Sequence, residues 1–131
     1  MIDTWIVVAD GGSARIFSGP SDLSKLGLVL ERKNGHHHAD PHADPEKGDG
    51  SEHHKKETAF AEDLGREVIS AVGSHIVRSV VLVAPPRFIH DLVASLPAST
   101  IPHITAKIGK DYTKVKPHDL ANRVKQALAA R

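Results

Sequence analysis

The sequence predicts a single α/β domain built on a mixed five-stranded sheet, and three observations carry that prediction. Three short apolar stretches follow one another at the start with only turn residues between them. From residue 60 onward helical and strand-like patterns alternate. The 131 residues, 40% hydrophobic and 25% charged, have the balance of one ordinary folded core rather than of a disordered or membrane chain.

The elements follow in order. Thr4 to Ala9 is an apolar run closed by Asp10-Gly11-Gly12-Ser13, and Ala14 to Ser18 follows, so the segment reads as strand, tight turn and strand. Leu26 to Arg32 is again β-like. Residues 34–56 then show no apolar periodicity and are expected to form a long polar loop. Phe60, Leu64, Val68, Val72 and Ile76 recur every four residues, which makes one apolar stripe on a helix that Gly65 and Gly73 weaken without removing. Ser79 to Ala84 is a continuous β-branched run of the kind buried on both faces of a sheet. Pro85-Pro86 ends it and opens a helix that Pro97 stops. Ile101 to Ile108 reads as the fifth strand, interrupted by Pro102 and His103, and Pro117 opens the last helix with Asp119 in its first turn.

The order β-β-β-α-β-α-β-α restricts the topology. Consecutive short-linked strands form an antiparallel meander, whereas strands separated by helices need right-handed crossovers and run parallel. The ribonuclease H-like arrangement satisfies both; its sheet order, 3-2-1-4-5, is taken from that known architecture and not from periodicity. It places the C-terminal ends of strands one, four and five along one rim, where open α/β sheets bind ligands. Asp10 to Ser13, Pro85 to Arg87 and Gly109 to Asp111 are expected to gather there.

Composition excludes several chemistries. There are no cysteines, so disulfides, thiolate metal sites, iron–sulfur clusters and cysteine nucleophiles are all ruled out. No apolar run approaches the ~20 residues needed to span a bilayer, and the start lacks the basic and apolar regions of a secretion signal. Cytoplasmic residence without membrane insertion is the expectation. Residues 1–100 carry 10 basic and 14 acidic groups, net −4, and residues 101–131 carry 7 and 2, net +5. The basic quarter suits phosphate backbones or acidic surfaces as well as it suits a solvated helix face. Aromatics at 4% leave little for base stacking, and no DNA specificity is evident.

Two segments carry candidate chemistry. In Asp10-Gly11-Gly12-Ser13, glycines would let backbone N–H groups approach an anion and Ser13 adds a hydroxyl donor. The plain alternative is that Gly-Gly supplies the positive φ angles of a two-residue hairpin, with Asp10 accepting turn N–H groups. Arg87, in the first turn of its helix, opposes the helix dipole by ~0.3–1 kcal/mol when exposed. Either Asp91 one turn later or an anion near the rim compensates. The candidate ligand-binding residues are therefore Asp10, Gly11, Gly12, Ser13, Arg15, Arg87, Lys110 and Asp111. The second segment is the loop, where His36, His37, His38, His42, His53 and His54 are interleaved with carboxylates, and HADP repeats in tandem over residues 38–45. Imidazole and carboxylate suit Zn²⁺ or Ni²⁺, which makes His36, His37, His38, Asp40, His42, Asp44, His53 and His54 the candidate metal ligands. No fixed ligand spacing accompanies them, and no cofactor is required by the rest of the chain.

Three segments also resemble a known family. TWIVVADGGSARIF, VVLVAPPRF and IGKDYTKV, with a polar His-containing insert between the first two, are similar to the bacterial family named "protein required for attachment to host cells". That family is in turn similar to the middle domain of archaeal and eukaryotic class-1 release factors and of Pelota. The resemblance covers almost the whole chain and implies a ribosome- or RNA-associated role, with an indirect part in host attachment. In release factors the loop before the first long helix carries Gly-Gly-Gln. Here residues 34–56 hold no glutamine, and Gln126 is the only one in the chain.

The sequence thus points to a non-catalytic binding module. Gly-Gly-Gln and the nucleophile elbow are absent, and Asp10 and Asp111 are too few carboxylates for a two-metal nuclease. Two other readings stay open: a metal-binding or pH-responsive protein acting through the His-rich loop, and a small phosphate-ligand enzyme at the Asp10–Ser13 edge. Nothing in the sequence fixes the oligomeric state.

Overall fold

In the computed structural model, which describes residues 4–20, 22–34 and 50–129, the strands are β1 (Thr4–Ala9), β2 (Ser13–Gly19), β3 (Gly27–Lys33), β4 (Ser79–Val83) and β5 (Ile104–Ile108). The helices are α1 (Gly50–Gly73), α2 (Pro86–Ala94) and α3 (Pro117–Ala129). The sheet order is β3-β2-β1-β4-β5. β1 pairs antiparallel with β2 and β2 with β3, while β1–β4 and β4–β5 are parallel. This is the order expected of the ribonuclease H-like arrangement.

β1 is central because every one of its residues is buried, and its pleat feeds two cores. Trp5, Val7 and Ala9, with Val80 and Leu82 of β4, meet Phe60, Leu64 and Val68 of α1 and Phe88 and Leu92 of α2. Ile6 and Val8, with Val81, Val83 and Ile108, meet Leu120 and Val124 of α3. Each large apolar side chain buried this way contributes about 1.5–3 kcal/mol. Gly65 lets α1 approach α2 closely: a Cβ there would fall on Ser95 Oγ, which itself donates to the Leu92 carbonyl at 2.6 Å.

Both edge strands are bulged. Ile16 pairs with Leu30 but Phe17 pairs with Leu28, so Val29 is the extra residue. The shift moves consecutive partners to opposite faces. Leu30 packs on the α1 side, whereas Leu28 is 55% and Val29 48% exposed. In β5, Ile104 pairs with Val80 and Ala106 with Val81, which leaves Thr105 out of the ladder. Bulges of this kind interrupt the row of groups that another strand would need.

Four expectations are corrected. The fifth strand begins at Ile104 rather than Ile101, because Pro102 lies in a 3₁₀ turn, Ile101–His103. α1 begins at Gly50, so the last seven residues of the expected loop are helical. The paired glycines of the first turn do not adopt positive φ angles; none of the described glycines does. Finally, Ile76 is not on the helical stripe. His75 takes φ 60°, its N–H bonds the Val72 carbonyl at 3.1 Å, and the Ile76 N–H bonds the Ala71 carbonyl at 2.9 Å. These two bonds are a Schellman cap, which ends the helix and leaves Ile76 53% exposed.

The cap makes a prediction. A left-handed conformation costs a non-glycine residue roughly 1–2 kcal/mol, so His75→Gly is expected to stabilise the protein by about 1 kcal/mol, less any entropy that glycine adds to the unfolded chain. The urea midpoint should rise. A lowered midpoint would show that the His75 side chain contributes more than its backbone strain removes.

Leu23 is the other left-handed residue, φ 59°. Its N–H bonds the Pro20 carbonyl at 2.9 Å, and its buried side chain ties the β2–β3 loop to the α3-side core. Next to it, the Ser24 hydroxyl and amide, with a smaller contribution from the Lys125 charge, hold the Asp22 carboxyl below the usual Asp range. The resulting stabilisation is complete above the ordinary Asp pKa and is lost as pH falls through the lowered value. Among the described residues, no helix is long and apolar enough to cross a membrane.

Candidate functional site

Parallel pairing of β1, β4 and β5 brings their C-terminal ends to one rim. The first turn lies on it and is built around a carboxylate. Asp10 Oδ1 accepts the N–H of Gly12 and of Ser13, both at 2.8 Å, and the Asp10 N–H donates to the Ser13 carbonyl at 2.9 Å. The Asp10 side chain thus turns the chain where a positive-φ glycine pair would otherwise have done so. The two amides that an incoming phosphate would use are engaged by Asp10.

The segment between β5 and α3 closes over this turn. The Thr113 hydroxyl lies 3.2 Å from Asp10 Oδ2 and 2.5 Å from Asp111 Oδ1, and the Thr113 N–H donates to Asp111 Oδ1 at 2.9 Å. From below, Arg15 Nη2 donates to the carbonyls of Tyr112, Thr113 and Val115 at 3.2, 2.7 and 2.7 Å. Its guanidinium carbon sits 5.4 Å from the centre of the Phe17 ring. On the other side Asn34, 6% exposed, donates from Nδ2 to the carbonyls of Gly11 at 2.8 Å and Lys56 at 3.3 Å. Its own N–H reaches the Gly12 carbonyl at 2.9 Å. Asn34 therefore ties the turn to α1.

β4 joins the rim through Pro86. The Ala84 N–H bonds the Ile108 carbonyl at 3.0 Å, and a Cβ on Gly109 would lie 3.0 Å from Pro86 Cγ. Only glycine allows that approach without displacing the proline ring. Arg87 is the next residue and is exposed; both it and Asp91 are engaged within the chain.

Of the eight candidate ligand residues, the structure brings Asp10, Gly11, Gly12, Ser13 and Asp111 together, bridged by Thr113. Arg15 lies under the same segment with Nη2 occupied by carbonyls. Arg87 and Lys110 stand outward on the rim. Thr113 and Asn34 are the organising residues that sequence reasoning missed. Neither has a motif, and an Asn after a strand and before a polar tract reads as ordinary loop.

Beyond the rim the charge is basic. Lys107, Lys110 and Arg123 line a groove of about 440 Å³ between β5 and α3, together with Gln126, Gly109 and Tyr112. An adjoining groove of about 360 Å³ shares Arg123 and adds Lys114 and Lys116, with Asp111 and Asp119 among its lining. His36, His37, His38, Asp40, His42 and Asp44 lie outside the described residues, as do the side chains of His53 and His54.

Comparison with known proteins follows the fold. A family model, Bacterial archaeo-eukaryotic release factor family 12, matches residues 3–124. Among solved structures, the chain is similar to the archaeal translation termination factor aRF1, with a TM-score of 0.50 and 13% identity over 95% of this chain and 36% of that one. It is also similar to Dom34 of S. cerevisiae, a translation termination-like factor involved in RNA quality control pathways and interacting with Hbs1. There the TM-score is 0.47 and the identity 14%, over 97% of this chain and 36% of that one. The chain thus spans 36% of the length of each of these two structures, and at such identity the aRF1 likeness concerns the fold alone. No curated protein sequence matches.

Proposed function

Because the chain belongs to the bacterial archaeo-eukaryotic release factor family 12, we propose that it is a non-catalytic binding module of translation whose partner is the ribosome. The observation that carries this reading is the family match, which runs through both cores and the whole rim. Two features of the chain support it. The rim is held from within, with the Gly12 and Ser13 amides on Asp10 and Arg15 Nη2 on three carbonyls, an arrangement suited to a stable recognition surface. The cations instead face outward on the last quarter of the chain, where ribosomal RNA offers phosphate. A cytoplasmic location follows on this reading. The contribution to host-cell attachment implied by the sequence resemblance is then indirect, through synthesis of other proteins.

The test is co-sedimentation with ribosomes. The protein is expected in the ribosomal pellet at low ionic strength and progressively in the supernatant between about 50 and 200 mM salt, since each phosphate contact releases counterions. Absence from the pellet at the lowest salt would overturn the reading.

A further inference from the structure

The groove between β5 and α3 is lined by three cations and by no acid. Lys107 comes from β5, Lys110 from the segment after it and Arg123 from α3, with the Gln126 amide beside them. Among the described residues none of these three cations enters an ion pair. Like charges on one wall repel, and an anion in the groove relieves the repulsion. The adjoining groove continues the path through Arg123 to Lys114 and Lys116, there moderated by Asp111 and Asp119. We infer that the Lys107–Lys110–Arg123 groove seats the phosphodiester backbone of folded RNA and reads no base sequence. The inference rests on the translation reading for the source of that RNA.

Three details favour an RNA backbone over an acidic peptide. A peptide docking here would add a strand to β5, one of the two edge strands of the sheet. β5 resists that addition, because the Thr105 bulge breaks its ladder and Lys107 stands on the edge. Lys, Arg and the Gln126 amide offer donors that suit phosphate oxygens. Tyr112 is buried, 9% exposed, so its ring is not available to stack on a base, and contacts are left to the backbone.

The experiment measures fluorescence anisotropy of two labelled RNA hairpins of unrelated sequence against the wild-type chain and against the Lys107→Ala/Lys110→Ala/Arg123→Ala variant. Wild type is expected to bind both hairpins alike. The triple variant should lose about tenfold or more in affinity, with the slope of log K against log salt smaller by about 2–3. Should the triple variant fail to fold, as read by circular dichroism, Lys110→Glu replaces it; Lys110 is exposed on the rim, and at least fivefold weaker binding is expected. Unchanged affinity in the folded variant, strong preference for one hairpin, or displacement of RNA by polyglutamate would overturn the inference. Ribosome pelleting of the wild-type chain in parallel separates the two claims. Pelleting without hairpin binding overturns the groove and leaves the translation reading standing. Groove-dependent hairpin binding without pelleting does the reverse.

Discussion

Replacing Arg15 by methionine is expected to lower the unfolding free energy by about 2–4 kcal/mol, measured as a shift of the urea midpoint at constant m-value. Methionine keeps an apolar stem over Phe17 but leaves the carbonyls of Tyr112, Thr113 and Val115 without the donor they share. Hydrogen bonds from a charged donor are worth about 1.5–3 kcal/mol, and the lost contact with the Phe17 ring adds about 0.5–1 kcal/mol. Arg15→Lys should lie between wild type and Arg15→Met, because an ammonium retains the charge without the planar fork. A loss below about 1 kcal/mol in Arg15→Met would mean that water replaces the guanidinium, and the segment would then be held chiefly by Thr113.

The consequence reaches the proposed RNA surface. Lys110 stands at the start of the segment that Arg15 holds, and Arg123 lies across the groove from it. The two are kept apart at a fixed spacing only while residues 109–116 are clamped. A residue read from the sequence as a ligand contact thus acts one step back, by fixing the loop that carries a candidate contact.

How far the sequence revealed this differs by element. The strand and helix order was legible from the apolar runs and stripes, and the sheet order 3-2-1-4-5 followed from the known ribonuclease H-like architecture that this order fits, not from periodicity. The first helix was legible from its stripe, but its end was not, because the Schellman cap uses His75 rather than the glycine that normally marks one. Its start was hidden for a different reason: Gly50 to Lys56 carry almost no apolar residues, so no periodicity announces a turn of helix. At the rim, the topology argument placed Asp10 beside Asp111 correctly. The bridge between them, the Thr113 hydroxyl, has no sequence signature. Arg15 did leave a signal, since a cation set among Ala14, Ile16 and Phe17 must find acceptors.

The second large effect is expected at Asp10. In Asp10→Ala the Gly12 and Ser13 amides lose their acceptor in a part-buried turn and Thr113 loses one partner, so a loss of about 2–3 kcal/mol is expected. Asp10→Asn retains an acceptor at Oδ1 and should cost roughly half as much, about 1–1.5 kcal/mol. Thr113→Val, which removes the bridge and spares the turn, is expected near 1 kcal/mol. Asp10 and Arg15 hold the same segment from two sides, so the double variant Asp10→Ala/Arg15→Met should lose less than the sum of the two single losses, by about 0.5–3 kcal/mol. The reason is that a segment released by one substitution has less left to lose to the other. Strict additivity would show that the turn and the segment are held independently, and that the rim is two neighbouring structures instead of one.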